Sequence, residues 1–327
     1  MAEFIKGGGS SLFLNIIEDG AGNPIDEGNG YIAELPFTTE SFNPVGEFIS
    51  SNAIAGGRSR GIGCIGNKAG DGSFDTEVTK ENFGIVFYSA LGSISGTDIT
   101  PTVDDLPVYD VYVRHGSSND MIYKYESQRV NSLRLAFTSN GLLTASIDMA
   151  GLTWSVHSGA VPTTSPQLLL STANTILCPA ALTGLTMGGL GIMDFATGLE
   201  FTIANNLDTD TNALDASGRL SVITGELAVT GSLTLLVPSD DETGVFAQLV
   251  SLDIGDELGD ILIGILSDAD AISLQNVYVT QPVHDITDRG KVAFRIDFQA
   301  VQDGTTPPMT VKLTTGMYNP VTMAAVA

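Results

Sequence analysis

Apolar and polar residues alternate with a period of two along most of this chain. From Gly72 to Val78, Phe74, Thr76 and Val78 fall on one side and Ser73, Asp75 and Glu77 on the other, the pattern of a strand with one buried face. Runs from Val108 to Val113, Val130 to Phe137, Leu142 to Met149, Leu220 to Val237, Leu274 to Val279 and Lys291 to Ala300 also read as strands, because Gly, Asn and Asp bound them. Asn140-Gly141 separates two of these runs and Asp288-Arg289-Gly290 precedes another; both are turn signals. Helical signals are few. Thr79 is placed to cap a helix over Lys80–Leu91 with Gly92 as its stop, and Ser239 to cap a second helix through Val245, Leu249 and Leu252. Val86, Phe87, Ala90 and Leu91 have the spacing of Val245, Phe246, Leu249 and Val250, an apolar stripe suited to docking on a sheet.

That shared spacing belongs to a longer self-similarity. Asn52-Ala53-Ile54 returns as Asn212-Ala213-Leu214, Gly57-Arg58 as Gly218-Arg219, Gly72-Ser73 as Gly231-Ser232 and Val86-Phe87 as Val245-Phe246, at offsets of 159 to 161 residues. Beyond the helix the offset shortens, and Ile147-Asp148 returns as Ile296-Asp297 at 149. Each match is short, but the order is kept: strand, Gly-Ser strand, helix, strand, turn, Ile-Asp strand. We read this as duplication of one α+β unit; generic β composition is the competing explanation. The seam falls between Ser155 and Thr197. There, the 45 residues from Met149 to Met193 contain no Asp, Glu, Lys or Arg. They do contain Pro162, Pro166, Pro179 and His157 and lack flanking cations, so they read as linker plus buried strands. A membrane span needs ~20 mostly apolar residues. The expected division is a first unit over 1–157, a neutral linker and strand region over 158–197 and a second unit over 198–327, in keeping with roughly two domains of ~150 residues.

Composition narrows the class. Hydrophobic residues make up 43% and mean hydropathy is +0.20, enough to bury a core and to exclude wholesale disorder. The charges are lopsided, 38 acidic against 14 basic for a net −24. A protein that grips phosphates needs a basic surface, so ordinary DNA or RNA binding and adhesion to anionic membranes are both disfavoured. With 37 Gly and 13 Pro the chain suits a turn-rich β protein. Two cysteines, Cys64 and Cys178, allow at most one disulfide and are expected to be unpaired, part-buried thiols. The start MAEFIKGGGS has no apolar h-region, so no signal peptide is expected.

Chemical motifs are weak. Gly57-Arg-Ser59-Arg-Gly61 matches a nucleophile elbow, but polar residues precede it and glycines follow, where a strand and a helix are required. Gly61-Ile-Gly63-Cys-Ile-Gly66 matches a dinucleotide loop, but Asn67-Lys-Ala-Gly-Asp-Gly72 follows in place of a helix N-terminus. Asp208-Thr-Asp210-Thr-Asn212 opens like a calcium loop, yet Ala213 stands where Gly is needed and Arg219 where a bidentate Glu is needed. His115, His157 and His284 are far apart. The acidic runs Asp104-Asp105, Asp240-Asp241-Glu242 and Asp256-Glu257 read as solvated loops or helix starts. Trp154 reads as a core or interface anchor. No catalytic constellation, cofactor site or metal site emerges.

Several segments keep a characteristic order. They are Glu47-Phe-Ile-Ser-Ser-Asn-Ala-Ile-Ala-Gly-Gly-Arg58, Gly72-Ser-Phe-Asp-Thr-Glu-Val78 and Asn82-Phe-Gly-Ile-Val-Phe-Tyr-Ser-Ala-Leu-Gly92. Tyr123-Lys-Tyr125, Arg129-Val-Asn-Ser-Leu-Arg-Leu135 and Gly141-Leu-Leu-Thr-Ala-Ser-Ile147 follow them. The second half offers Gly198-Leu-Glu-Phe-Thr-Ile-Ala-Asn-Asn206 and Gly225-Glu-Leu-Ala-Val-Thr-Gly-Ser232. In this order, over roughly residues 30 to 304, the chain resembles the major tail tube proteins of tailed bacteriophages.

The resemblance implies a mainly β (α+β) fold. It would hold two tandem β-sandwich tube units, each with a short flanking helix, whose strands join neighbours into a closed barrel lining a channel. Closure would remove the free sheet edges. The implied role is a structural one, a self-assembling subunit of stacked rings that conduct DNA, without catalysis or cofactor. Its partners would be further copies of itself, the tape measure and other tail proteins, and DNA in transit without specific binding. Its place would be the virion tail, and the host cytoplasm during assembly, with no membrane insertion. Two units per chain would make three chains a pseudo-sixfold ring; a true hexamer is the rival. Carboxylates lining the lumen would repel phosphates. Asp75, Glu77, Asp148 and Asp297 are the candidates because they alternate with apolar neighbours, and alternation leaves outer solvent equally open to them. The glycine-rich stretch Ile54–Gly72 is expected to be a loop, ordered against the next ring or disordered at the surface. Competing classes are a capsid decoration or receptor-binding protein and a β-sandwich glycan hydrolase with a carboxylate pair. One Trp and 7% aromatics offer little of the platform a hydrolase needs for sugars.

Overall fold

The computed structural model describes residues 9–25, 32–50, 63–116, 121–161, 167–169, 175–212, 218–236, 251–266, 268–286, 292–315 and 317–321. The first half runs β1 (Ser11–Glu18), β2 (Ile32–Leu35), β3 (Thr39–Glu40), β4 (Asn43–Ser50), β5 (Gly63–Glu77) and α1 (Phe83–Leu91). It continues with β6 (Gly92–Ser95), β7 (Asp98–Pro101), β8 (Val108–Arg114), β9 (Ile122–Thr138), β10 (Thr144–Ala150) and β11 (Thr153–His157). The second half runs β12 (Gln167–Leu169), β13 (Leu182–Met187), β14 (Leu190–Gly191), β15 (Ala196–Ala204) and β16 (Ala228–Leu236). It ends with β17 (Glu257–Ile265), β18 (Asp268–Ile286), β19 (Val292–Ala300) and β20 (Met309–Lys312). The protein is mainly β, as the period-two pattern requires. No helix among the described residues is long and apolar enough to cross a membrane.

One antiparallel ladder carries both halves, in the order β3/β4, β5, β10, β9, β15, β16, β19, β18. Among the described residues it is open and does not close into a barrel. Two long strands leave it for further ladders. The N-terminal part of β9 pairs β8 and β11, and β8 leads through β1 and β2 to the parallel strand β12. The N-terminal part of β18 pairs β17 and β20, which lead on to β13 and to β7.

The two long strands change ladder by the same local devices. On β9, Asp148 faces Ser132 and Met149 faces Val130, so Asn131 is skipped. On β18, Asp297 faces Gln281 and Phe298 faces Val279, so Thr280 is skipped. Such bulges bend a strand. Ser127 (φ 55) and Asn276 (φ 50) take the left-handed conformation just before the bulges. The Ser127 N–H donates to Asp110 Oδ1 at 3.2 Å, and the Asn276 N–H to Asp260 Oδ1 at 3.1 Å. Both skipped residues and both left-handed residues are 149 apart. Alternate side chains of β5, β9, β10, β15, β16 and β19 join those of β1 and β8 in a single apolar cluster spanning both halves.

Several expectations change. The stretch Gly63–Gly72 is the first part of β5, paired to β4, not a loop; residues 51–62, with the nucleophile-elbow match, lie outside the described residues. The strand expected from Leu220 begins only at Ala228. The segment before it folds back onto the first half, where the Val222 carbonyl accepts from Arg129 at 2.6 Å and Thr224 Oγ1 donates to Asp105 Oδ1 at 2.9 Å. The helix starts at Phe83, because Thr79 and Asn82 bond each other first: Thr79 N–H to Asn82 Oδ1 at 2.8 Å, Asn82 N–H to Thr79 Oγ1 at 3.2 Å. It stops at Gly92 (φ 86) as expected. All nine of its residues are buried rather than one stripe, because the C-terminal segment covers its outer side. A Cβ on Gly84 would come 2.2 Å from the Tyr318 carbonyl oxygen. The second expected helix and the turn at Asp288-Arg289-Gly290 lie outside the described residues. Both cysteines are free; Cys64 is exposed and not part-buried, since it sits on the part of β5 that, among the described residues, pairs with β4 alone.

Candidate assembly face and edges

Because side chains alternate across a strand, the shared ladder has one apolar and one polar face. Phe74, Leu133, Leu135, Ile147, Phe201, Leu233 and Ile296 turn to the core. The opposite face carries the residues between them. All four sequence candidates lie there. Asp75 and Glu77 stand on β5, Asp148 on β10 and Asp297 on β19. They are spread across the sheet and not gathered into a site. Asp148 faces Ser73 and Ser132, while Asp297 faces Ser232 and Gln281.

Their partners differ in kind. Asp75 accepts from the Ser146 hydroxyl and, at 2.5 Å, from Thr39 Oγ1. The Ser146 bond, and after it the Thr39 bond, hold the Asp75 carboxyl below its ordinary value of 3.8. Asp148 accepts from Asn131 Nδ2 at 3.0 Å. Hydroxyl and amide partners leave a full negative charge in place. Asp297 instead meets Arg295 Nε at 2.9 Å.

Sequence reasoning missed further charges on this face. Glu200 lies between the buried Leu199 and Phe201 on β15 and pairs Arg134 at 2.7 Å. Asp71, at the far end of the same face of β5, holds Arg219 through two bonds of 2.7 and 2.9 Å. The alternation of Leu199, Phe201 and Ile203 is the signal that finds Glu200. The guanidiniums of Arg134 and Arg295 are thus each tied to a carboxylate of the face itself, and the face is acidic.

The edges are the second feature. Among the described residues, β3 and β4 pair only with β5, and residues 281–286 of β18 pair only with β19. In the middle of the ladder the corresponding sides of β9 and β15 meet each other, from Gly198 opposite Thr138 to Ala204 opposite Ser132. Both free edges carry a proline, Pro44 and Pro282, a residue that sheets tolerate at their edges because it has no N–H to donate. A proline inside an alternating run is a signal for an edge strand that sequence reasoning passed over.

A family model described as phage tail tube protein matches residues 6–300 of the chain. No curated protein matches it.

Proposed function

The chain belongs to the phage tail tube protein family, and we propose from that premise that it is the repeating subunit of a tail tube that assembles into stacked rings and conducts DNA. It is a structural protein of the virion tail. The reading is carried by an open sheet with an acidic face and two unpaired, proline-marked edges, which completes itself only against further copies.

In this reading the chain holds two copies of one β-sandwich unit, over 1–157 and 198–327, joined by 158–197. Paired rungs support the duplication. Ser73 faces Asp148 as Ser232 faces Asp297, and Asn43 faces Asp71 as Thr202 faces Thr230. Three chains then supply six units to a pseudo-sixfold ring, whose barrel is closed by contacts between chains. The acidic face with Asp75, Glu77, Asp148 and Asp297 lines the bore. Like charges repel the phosphates of passing DNA and keep it from adhering. Neighbouring rings, the tape measure and other tail proteins are the further partners, and assembly takes place in the host cytoplasm.

Negative-stain microscopy with mass measurement of isolated rings tests this. Hollow tubes with three chains per ring are expected. Six chains per ring would end the trimer, and a discrete oligomer without a bore at high concentration would mark a decoration protein instead. In phage carrying Asp75→Lys with Glu77→Lys, tubes should form while infectivity falls at least tenfold. Undiminished infectivity would remove these acids from the bore.

A further inference from the structure

We infer the strand register by which one copy of this chain joins the next: β3–β4 of one copy pairs antiparallel with residues 281–286 of β18 of its neighbour, Phe42 opposite His284 and Asn43 opposite Val283. The inference rests on the tube reading above and deepens it. Its template lies inside the chain. There, β15 pairs β9 with Phe201 opposite Leu135, Thr202 opposite Arg134 and Ile203 opposite Leu133. Rungs on both sides of that junction recur at fixed offsets. Thr39 and Asn43 face Asp75 and Asp71 as Gly198 and Thr202 face Thr234 and Thr230, an offset of 159. The skipped residues Asn131 and Thr280 set the offset between β9 and β18 at 149. Moving β15 back by the first offset and β9 forward by the second gives Glu40 opposite Ile286, Phe42 opposite His284, Asn43 opposite Val283, Pro44 opposite Pro282 and Val45 opposite Gln281.

The donors agree with this register. Ser41 N–H donates to the Ser73 carbonyl at 2.8 Å, so the N–H groups of its neighbours along the strand point away from β5, toward the free edge. At that edge Phe42 N–H is occupied by the Glu40 carboxylate, at 3.1 Å. An edge donor covered by the chain's own carboxylate, beside a proline with no donor, is an edge protected against indiscriminate pairing. The register also sets Pro44 against Pro282. The two missing donors then fall in one rung; the Glu40–Ile286 rung keeps its donors, and the Phe42–His284 rung gains its own when the Glu40 carboxylate gives up Phe42 N–H. A slip of two residues would spoil two rungs instead of one.

Cysteine pairs read the register directly. In a Cys64→Ser, Cys178→Ser background, Asn43→Cys with Val283→Cys places two thiols directly opposite. Asn43→Cys with Gln281→Cys is displaced by one pair, a diagonal of roughly 7–8 Å that exceeds disulfide reach. With diamide as oxidant, assembled tubes of the first variant should give covalent multimers on a non-reducing gel, at least tenfold more than the second. Equal yields, or more from the displaced pair, would overturn the register while leaving the tube reading intact. Absence of rings and tubes in the parent protein would sink both. Amide exchange on the parent chain gives an independent reading without substitutions: peptides spanning 38–46 and 281–287 should gain protection on assembly, and unchanged exchange in either would count against the pairing.

Discussion

The two halves of the ladder set their carboxylates on the same face but treat them differently. On β5 and β10, Asp71 is tied to Arg219, but Asp75 and Asp148 are held by Ser146, Thr39 and Asn131, groups that orient a carboxylate without neutralising it. On β15 and β19, Glu200 and Asp297 sit against Arg134 and Arg295. The first half therefore carries more of the net charge of the face, although the rungs Ser73–Asp148 and Ser232–Asp297 are geometrically alike. Backbone register fixes where a side chain points; the residue types beside it fix what charge it presents.

The strand bends show the same division. Asp110 and Asp260 both accept from a left-handed residue, but Asp110 is buried and also pairs Lys124 at 2.9 Å, whereas Asp260 is exposed.

Three measurements sharpen or break this comparison. The largest effect is expected from Asp110→Ala, which removes the shorter ion pair of Lys124, leaving its ammonium with Glu126 at 3.5 Å, and leaves Ser127 N–H without the Asp110 acceptor. It should cost about 2–3 kcal/mol in denaturant unfolding, against about 0.5–1 kcal/mol for Asp260→Ala. Equal losses would show that burial does not separate the two bends. Next is a reciprocal exchange of the left-handed residues. Asn tolerates that conformation better than Ser, so Ser127→Asn should stabilise by about 0.5 kcal/mol. Asn276→Ser should destabilise by somewhat more, since Asn276 Nδ2 also bonds the Val301 carbonyl at 3.3 Å. A loss of stability in Ser127→Asn would break the equivalence of the two bends.

The smallest effect is a pH dependence. A carboxyl held below its ordinary value contributes stability that is present above 3.8 and lost as pH falls through the lowered value. Ser146→Ala removes the larger of the two bonds to Asp75, so the acid-side decline in melting temperature should become shallower below about pH 4. An unchanged acid limb would mean that the Ser146 bond does not set the affinity of Asp75 for its proton.

Much of the fold was legible. The alternation in Gly72–Val78 and Leu142–Met149 located the inward and outward positions of β5 and β10, and Gly92 marked the helix stop, because a half-buried strand and a left-handed cap each demand particular residues at particular places. The face shared by Asp75, Glu77, Asp148 and Asp297 was legible for the same reason. Other features left no local trace. The apolar residues at Leu220, Val222 and Ile223 read as strand, yet the bonds from Arg129 to Val222 and from Arg219 to Asp71 hold that segment as a loop on the first half. The glycines of Gly63–Gly72 read as loop, yet pairing with β4 draws them into a strand. Full burial of α1 was also hidden, since the covering residues Leu313 and Tyr318 lie more than two hundred positions away in sequence.

The sequence by itself determined the mainly β class, the acidic character of the surface and the side of each strand that faces the core, since all three follow from composition and from a period of two. Only the tertiary structure decided which strands are neighbours, which acids are tied to arginines and which edges stay open. Those depend on pairings between residues far apart in the chain, where hydrogen-bonding groups common to every residue meet, and no local pattern of side chains encodes them.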